Sequence, residues 1–291
     1  MLPARSPSVR KGEGVDPDMM PVRILITVKT YPHPSKSYTE LVCTAGVRED
    51  GSFVRLYPID FRYLPFDKQF KKYQWIEVNL KKNRKDPRPE SYRPDLESIK
   101  PIGEPLSTAN GWAERKKYVL AQPLQTMCQL REALEENLAS QKKPFPSLGI
   151  IKPSEIFDLK VEADTRDWNK KELAALTQLN LFRNNKPLEK IPYRFVYHFN
   201  CGAPECEGHH MSITDWELGV LYLGERERLK DEQKAVESVK QKFLDDLCGA
   251  DKDTYFFVGN THKVYNSWIV LGVFYPPKEE APSPSQPSLF C

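Results

Sequence analysis

The sequence predicts an α+β fold: OB- or PUA-like small β-barrel elements, then a helical insert, then a C-terminal half stapled by a Cys/His metal site. Three observations predict it. Short runs rich in Val, Ile, Leu and Thr, punctuated by Pro and Gly, fill residues 22–82. Leucines recur four apart at Leu130, Leu134 and Leu138. The stretch HFNCGAPECEGHHMSITDWE, residues 198–217, gathers two cysteines and three histidines into thirteen positions.

VRILITVK (22–29), ELVCTAGV (40–47) and FVRLYPI (53–59) have the composition of strands, and the last alternates apolar and polar positions as a half-buried strand does. Asp50-Gly51 between the second and third marks a tight hairpin, because Gly accepts the positive φ such turns require. YQWIEVNLKK (73–82) reads as a further strand. Several short strands at this spacing suggest a small barrel of OB or PUA-like type. Residues 107–139 read as helical, with the three leucines on one face. SLGIIKPSEIFDLKVEA (147–163) returns to strand character, KKELAALTQLN is a short helix, and PYRFVYHFNC (192–201) is an aromatic strand. A helix follows the Cys/His motif, with Thr214 and Glu217 spaced as a capping box. Val236, Val239, Phe243 and Leu247 mark one face of the next helix, and TYFFVGN and SWIVLGVFY close the fold as strands.

The expected organisation is a disordered extension (1–20), a β domain (21–105), a helical insert with connecting strands (106–190), the Cys/His motif with its helices and closing strands (191–277), and a disordered tail (278–291). At 291 residues, the chain is long enough for one large or two ordinary domains. No apolar run approaches the roughly 18–20 residues of a membrane span, and the N-terminus lacks the apolar core of a signal peptide. A cytoplasmic location is therefore expected. Cysteines at 43, 128, 201, 206, 248 and 291 are too scattered for a disulfide framework.

Thiolate and imidazole ligands in a tight turn are what zinc requires. Cys201 and Cys206 bracket Gly202 and Pro204, with His209 just after and His198 just before. The set Cys201, Cys206, His209 and His198 is a compact candidate site. If the strand runs through Cys201, His198 faces the other way, and His210, Asp215, His262 or water completes the site. Asp215 and Glu217 are also candidate bases if the metal is catalytic, but a helix cap already accounts for both, so a structural zinc is the favoured reading.

Formal charge is only +3, yet residues 62–100 hold eleven Lys/Arg against six Asp/Glu. Arg62, Lys71, Lys72, Lys82, Arg84 and Arg88 interleave there with Tyr73 and Trp75, the mixture of cations and stacking faces that single-stranded nucleic acids engage. The competing account gives one of the Trp75–Ile76 pair to the core.

The N-terminal pattern adds a resemblance. An opening strand ends at Lys29, Cys43-Thr-Ala-Gly46 follows, and an aromatic-Val-Arg55 step ends at Pro58. This resembles the dual OB-containing domains of prokaryotic conflict systems, over about 35 residues. Phe53 stands where that pattern has Trp, and Leu56-Tyr57 separates Arg55 from Pro58. The resemblance implies a nucleic-acid-binding barrel in a prokaryotic defence or mobile-element system, with Lys29 and Arg55 on the ligand face and protein partners encoded in the same operon. The leading expectation is a non-enzymatic nucleic-acid-binding protein, RNA or DNA, with a structural zinc. The alternatives are a metal-dependent nuclease or hydrolase using Asp215 or Glu217, and a nucleotide-sensing or protein-binding adaptor.

Overall fold

The computed structural model describes residues 19–34, 40–140, 147–180, 187–261 and 264–279. The expectations for 1–18 and 280–291, and the candidate ligand His262, lie outside the described residues.

Seven strands make the first sheet: β1 (Met20–Lys29), β2 (His33–Pro34), β3 (Glu40–Val47), β4 (Phe53–Ile59), β5 (Trp75–Lys82), β6 (Ser91–Pro94) and β7 (Lys100–Ile102). Five of them close on themselves in the order β1-β3-β4-β6-β5, with β5 returning to β1 from Leu80↔Met20 to Trp75↔Leu25. All neighbours in this ring are antiparallel except β4 and β6. Closure removes the open edges that a free sheet would expose. The predicted Asp50-Gly51 hairpin joins β3 to β4, with Gly51 at φ +79° and Val47 opposite Phe53.

Strand alternation decides what fills the barrel. Ile24 and Ile26 point inward with Val42, Val54, Leu56, Phe70, Ile76 and Val78. Their neighbours Leu25 and Trp75 point outward, where with Val47 they form a second apolar cluster covered by Tyr118. Both members of the Trp75–Ile76 pair are therefore buried, on opposite faces. Gly46 lets β1 and β3 approach at this point, since a Cβ there would lie 2.3 Å from the Leu25 carbonyl oxygen.

The rest of the described chain is α1 (Ala109–Val119), α2 (Met127–Ala139), β8 (Leu148–Ile151), β9 (Glu155–Ala163), α3 (Lys170–Asn180), β10 (Tyr193–Asn200), β11 (His209–Ile213), α4 (Trp216–Leu229), α5 (Glu232–Lys240) with a π-helical turn Gln241–Asp246, β12 (Tyr255–Thr261) and β13 (Val264–Phe274). The predicted helical stretch 107–139 divides in two. α2 opens with a capping box between Thr126 and Gln129, and it buries Leu130 and Leu134 but exposes Leu138. The second sheet runs β8-β12-β13-β11-β10-β9, and only β11 and β13 are parallel. Strands from the expected insert thus share one sheet with the C-terminal half. Its core joins Phe195, Tyr197, Phe199 and Phe256 to Val236, Val239 and Phe243 of the predicted helical face.

The barrel and the second sheet share a core. Val28, Ala45 and Tyr73 from the first pack with Leu148, Phe257, Leu271 and Phe274 from the second. Among the described residues no helix is long and apolar enough to cross a membrane.

Candidate functional site

β10 and β11 form a hairpin, so the Cys/His motif is a strand-to-strand turn and not a direct strand-to-helix junction. The chain reverses between Asn200 and His209, carrying Cys201 and Cys206 in the reversal and His209 at the start of the returning strand. Cys128, in the first turn of α2, arrives from 73 residues away and completes the group. The four ligand atoms lie within 4.8 Å of one another and could hold a metal ion. Cys201 Sγ is 3.6 Å from both Cys128 Sγ and Cys206 Sγ; His209 Nε2 is 3.4 Å from Cys206 Sγ and 3.6 Å from Cys128 Sγ. The Cys201 amide points at Cys206 Sγ from 3.5 Å.

The thiols differ. Burial, then the neighbouring Cys201 sulfur, pushes Cys128 up to about 12. Burial also acts against the Cys201 thiolate, but hydrogen bonds from the Ala203 backbone and from Cys128 outweigh it and bring Cys201 down to about 7. Burial and then the Arg131 charge lower His209 to about 4, which keeps its ring neutral and able to ligate.

His198 and His210 stand apart from this group. Paired across the hairpin, their rings stack 3.7 Å apart at 8° on the face away from the sulfurs. The period of two along a strand separates His198 from Phe199, and His210 from His209. Cys128 occupies the place proposed for His198.

Asp215 and Glu217 are likewise outside the four-residue group. Asp215 is the N-cap of α4, accepting from the Glu217 amide at 2.8 Å. The cap sits one residue later than predicted because Thr214 is still in an extended register. Its amide donates to Val270 and its carbonyl accepts from the Tyr31 amide. Lys72 Nζ is 2.6 Å from Asp215 and 3.0 Å from Glu217. Burial works against the Lys72 ammonium, but the Asp215 and Glu217 carboxylates outweigh it and hold its pKa above the ordinary value.

The basic aromatic segment is largely spent on packing, which corrects the picture of a continuous stacking surface. Tyr73 and Trp75 are buried, the first against Trp112 and Phe274 and the second against Tyr118. Arg88 is buried on Asp86 at 2.6 Å and donates to the Asn260 carbonyl. Arg55 is buried and donates to Ser147. Arg62 pairs with Glu40 at 2.8 Å. Lys82 lies over the Tyr92 ring and donates to the Arg88 and Pro89 carbonyls. Lys82 and Arg84 are exposed.

What remains is a largely cationic pocket of about 420 Å³, lined by Lys29, Lys71, Lys72 and Arg115 together with Tyr73, Trp216 and the acidic Glu217. Lys71 is 3.5 Å from Glu104, and Lys72 is taken by the two acids. Neither Lys29 nor Arg115 has a carboxylate at ion-pair distance among the described residues. Lys29 instead sits 4.0 Å over the Phe61 ring and donates to the Phe70 carbonyl. Burial first and the Lys72 charge second lower it to about 8. Arg115 lies 4.2 Å over the Tyr73 ring, and burial lowers its pKa too. Two partly desolvated cations beside aromatic faces are suited to receive an anion.

Residues 123–290 match the family described as Domain of unknown function (DUF8757), which covers more than half of the chain. The chain belongs to this family. Residues 20–121 match a second, Domain of unknown function (DUF8758). No curated protein matches the chain. The Cys/His group lies entirely within the DUF8757 stretch. The cationic pocket is shared, with Lys29, Lys71, Lys72 and Arg115 from the DUF8758 stretch and Trp216 from DUF8757.

Sequence reasoning missed Cys128 and Arg115. Cys128 carried one signal: with His198 disqualified by strand parity, a site with two thiols and one imidazole lacked a ligand. Arg115 carried none, because only the fold brings α1 beside Tyr73.

Proposed function

We propose that the chain is a nucleic-acid-binding protein built on an OB-type barrel and clasped by one structural zinc ion. A closed five-stranded ring with one parallel pair is in keeping with the Greek-key barrel of that type. The observation that carries the reading is the pair Lys29 and Arg115, neither at ion-pair distance from a carboxylate among the described residues, in a pocket where four cations face the single carboxylate of Glu217. Phosphate oxygens supply anionic acceptors beyond the Phe70 carbonyl that Lys29 holds and the Leu106 carbonyl that Arg115 holds, and half-buried Trp216 is the ring there left to meet a base. The N-terminal resemblance supports a place in a prokaryotic defence system, and conserved gene neighbourhood is its test.

Zinc suits the cluster. Zn–S near 2.3 Å and Zn–N near 2.0–2.1 Å in a tetrahedron set ligand atoms roughly 3.6–3.8 Å apart, close to the separations between these sulfurs and Nε2. Three thiols and one imidazole fill a tetrahedron, leaving no position for a reactive water, which favours a structural ion over a hydrolytic one. Asp215 and Glu217, engaged by Lys72, are explained without catalysis.

The test is a binding titration of the full chain against single- and double-stranded DNA and RNA at low salt. The proposal expects saturable binding that weakens about tenfold or more in Lys29→Met and Arg115→Met. Flat titrations, or binding indifferent to both changes, would remove it.

A further inference from the structure

A second cavity, of about 340 Å³, lies where the barrel meets the second sheet. Arg55, Asn260, Thr214, Cys43, Tyr31 and Leu271 border it. It shares no lining residue with the cationic pocket. Three of its residues keep polar atoms that find no partner. Asn260 is 2% exposed, and neither its Oδ1 nor its Nδ2 makes a hydrogen bond. Thr214 Oγ1 and Arg55 Nε are also buried and bare.

Such groups are rare in folded interiors, where nearly every buried polar atom is satisfied. Three residues of this kind around one void are a concentration that packing does not explain. Arg55 sharpens the point. Arg88 borders the same cavity and is neutralised by Asp86, but Arg55, 3% exposed, has no carboxylate at ion-pair distance among the described residues. It spends Nη2 on the Ser147 carbonyl and hydroxyl, and Nη1 reaches Cys43 Sγ at only 3.4 Å.

We infer that this cavity binds a nucleobase-like ligand, a planar heterocycle whose adjacent donor and acceptor pair with the Asn260 carboxamide and whose carbonyl oxygen or ring nitrogen meets Arg55. A carboxamide offers one donor and one acceptor side by side, the pattern that base edges complement. A guanidinium only donates, so the ligand must bring an acceptor. A free phosphate answers Arg55, but it is not a planar edge that fits the side-by-side donor and acceptor of the Asn260 carboxamide, and it would meet the Asp86 carboxylate that also borders the cavity. Tyr31 supplies an aromatic wall. The volume lies at the small end of the roughly 300–1,000 Å³ of ligand sites, which suits a base or nucleoside and excludes a dinucleotide. The same chemistry can arrive as a free nucleoside or as a base turned out of a strand.

Calorimetric titration of the full chain with adenosine, guanosine, cytidine and uridine, and with a short single-stranded oligonucleotide, tests the inference and separates the two sources. At least one nucleoside is expected to bind one-to-one, or the oligonucleotide alone if the base comes from a strand. In either case Asn260→Leu is expected to weaken that binding at least a hundredfold while Tm stays level or rises, because two bare polar atoms leave the interior. Thr214→Val is a second handle in case the Leu variant fails to fold, with binding weakened about tenfold at unchanged Tm. Lys29→Met is expected to leave nucleoside binding intact, which separates this site from the proposed phosphate contact. Absence of binding by all probes, or binding that survives both Asn260→Leu and Thr214→Val, would overturn the inference and make the cavity a solvent pocket.

Discussion

The β10–β11 turn and the β5 region both crowd one kind of chemistry into a short stretch of sequence, yet folding treats them oppositely. In the turn the backbone doubles back, so Cys201, Cys206 and His209 converge on one point. Along β5 the backbone is extended, so alternate side chains go to opposite faces, and in the loops before and after it Lys72 and Arg88 each fold onto a different acid, so the crowd disperses. Ile76 enters the barrel, Trp75 the outer cluster, Arg88 a buried ion pair and Lys72 another. Density along a sequence becomes density in space where the chain reverses, and seldom where it runs straight.

The largest expected effect lies on the turn. If the group holds the proposed zinc, Cys201→Ser should release it and lower Tm by more than about 10 °C, because the binding free energy of a structural zinc is folding free energy. Thermal unfolding with parallel metal analysis checks it; an unchanged Tm would mean that the turn holds its shape alone.

Next comes the dispersed region. Lys72→Met strands the buried Asp215 carboxylate and should destabilise the fold by about 3–5 kcal/mol in denaturant unfolding. Adding Asp215→Asn should recover much of that loss. A loss below about 1 kcal/mol would return Lys72 to the pool of cations free for a ligand.

A smaller change should come from Lys29→Met, which removes one of the proposed phosphate contacts. Nucleic-acid affinity should fall about tenfold, with the salt dependence of log K shallower by about 0.9 on duplex DNA. Trp75→Phe should leave affinity unchanged, since Trp75 faces the outer cluster. The smallest effect is in pH. Lys29 faces Lys72, Asp215 and Glu217, and shares its pocket with Lys71 and Arg115. With its pKa lowered to about 8 it is charged below that pH and loses its proton above it. Affinity should be level up to about pH 7, decline through pH 8 to about 9, and lose that decline in Lys29→Met. A decline that persists in the variant would assign it to another group.

Much of the architecture was legible because its signals are local. The Asp50-Gly51 turn, the strand compositions and the Val236–Phe243 face each depend on residues near one another in the chain. The barrel's closure through β1 and β5, and the joining of β8 and β9 to the C-terminal strands, depend on pairings between distant segments that no local period encodes. The site divides the same way. Strand parity could raise doubt about His198 but could not supply Cys128. Charge counting located the basic segment but could not see that Asp86, Glu40 and Asp215 would claim Arg88, Arg62 and Lys72.

The central claim, that three thiols and one imidazole from two separate segments form a single metal clasp, is tested most directly by elemental analysis of the purified chain beside Cys128→Ser and His198→Ala. One zinc per chain is predicted for the parent and for His198→Ala, with zinc lost from Cys128→Ser. Zinc retained without Cys128, or lost without His198, would contradict the account.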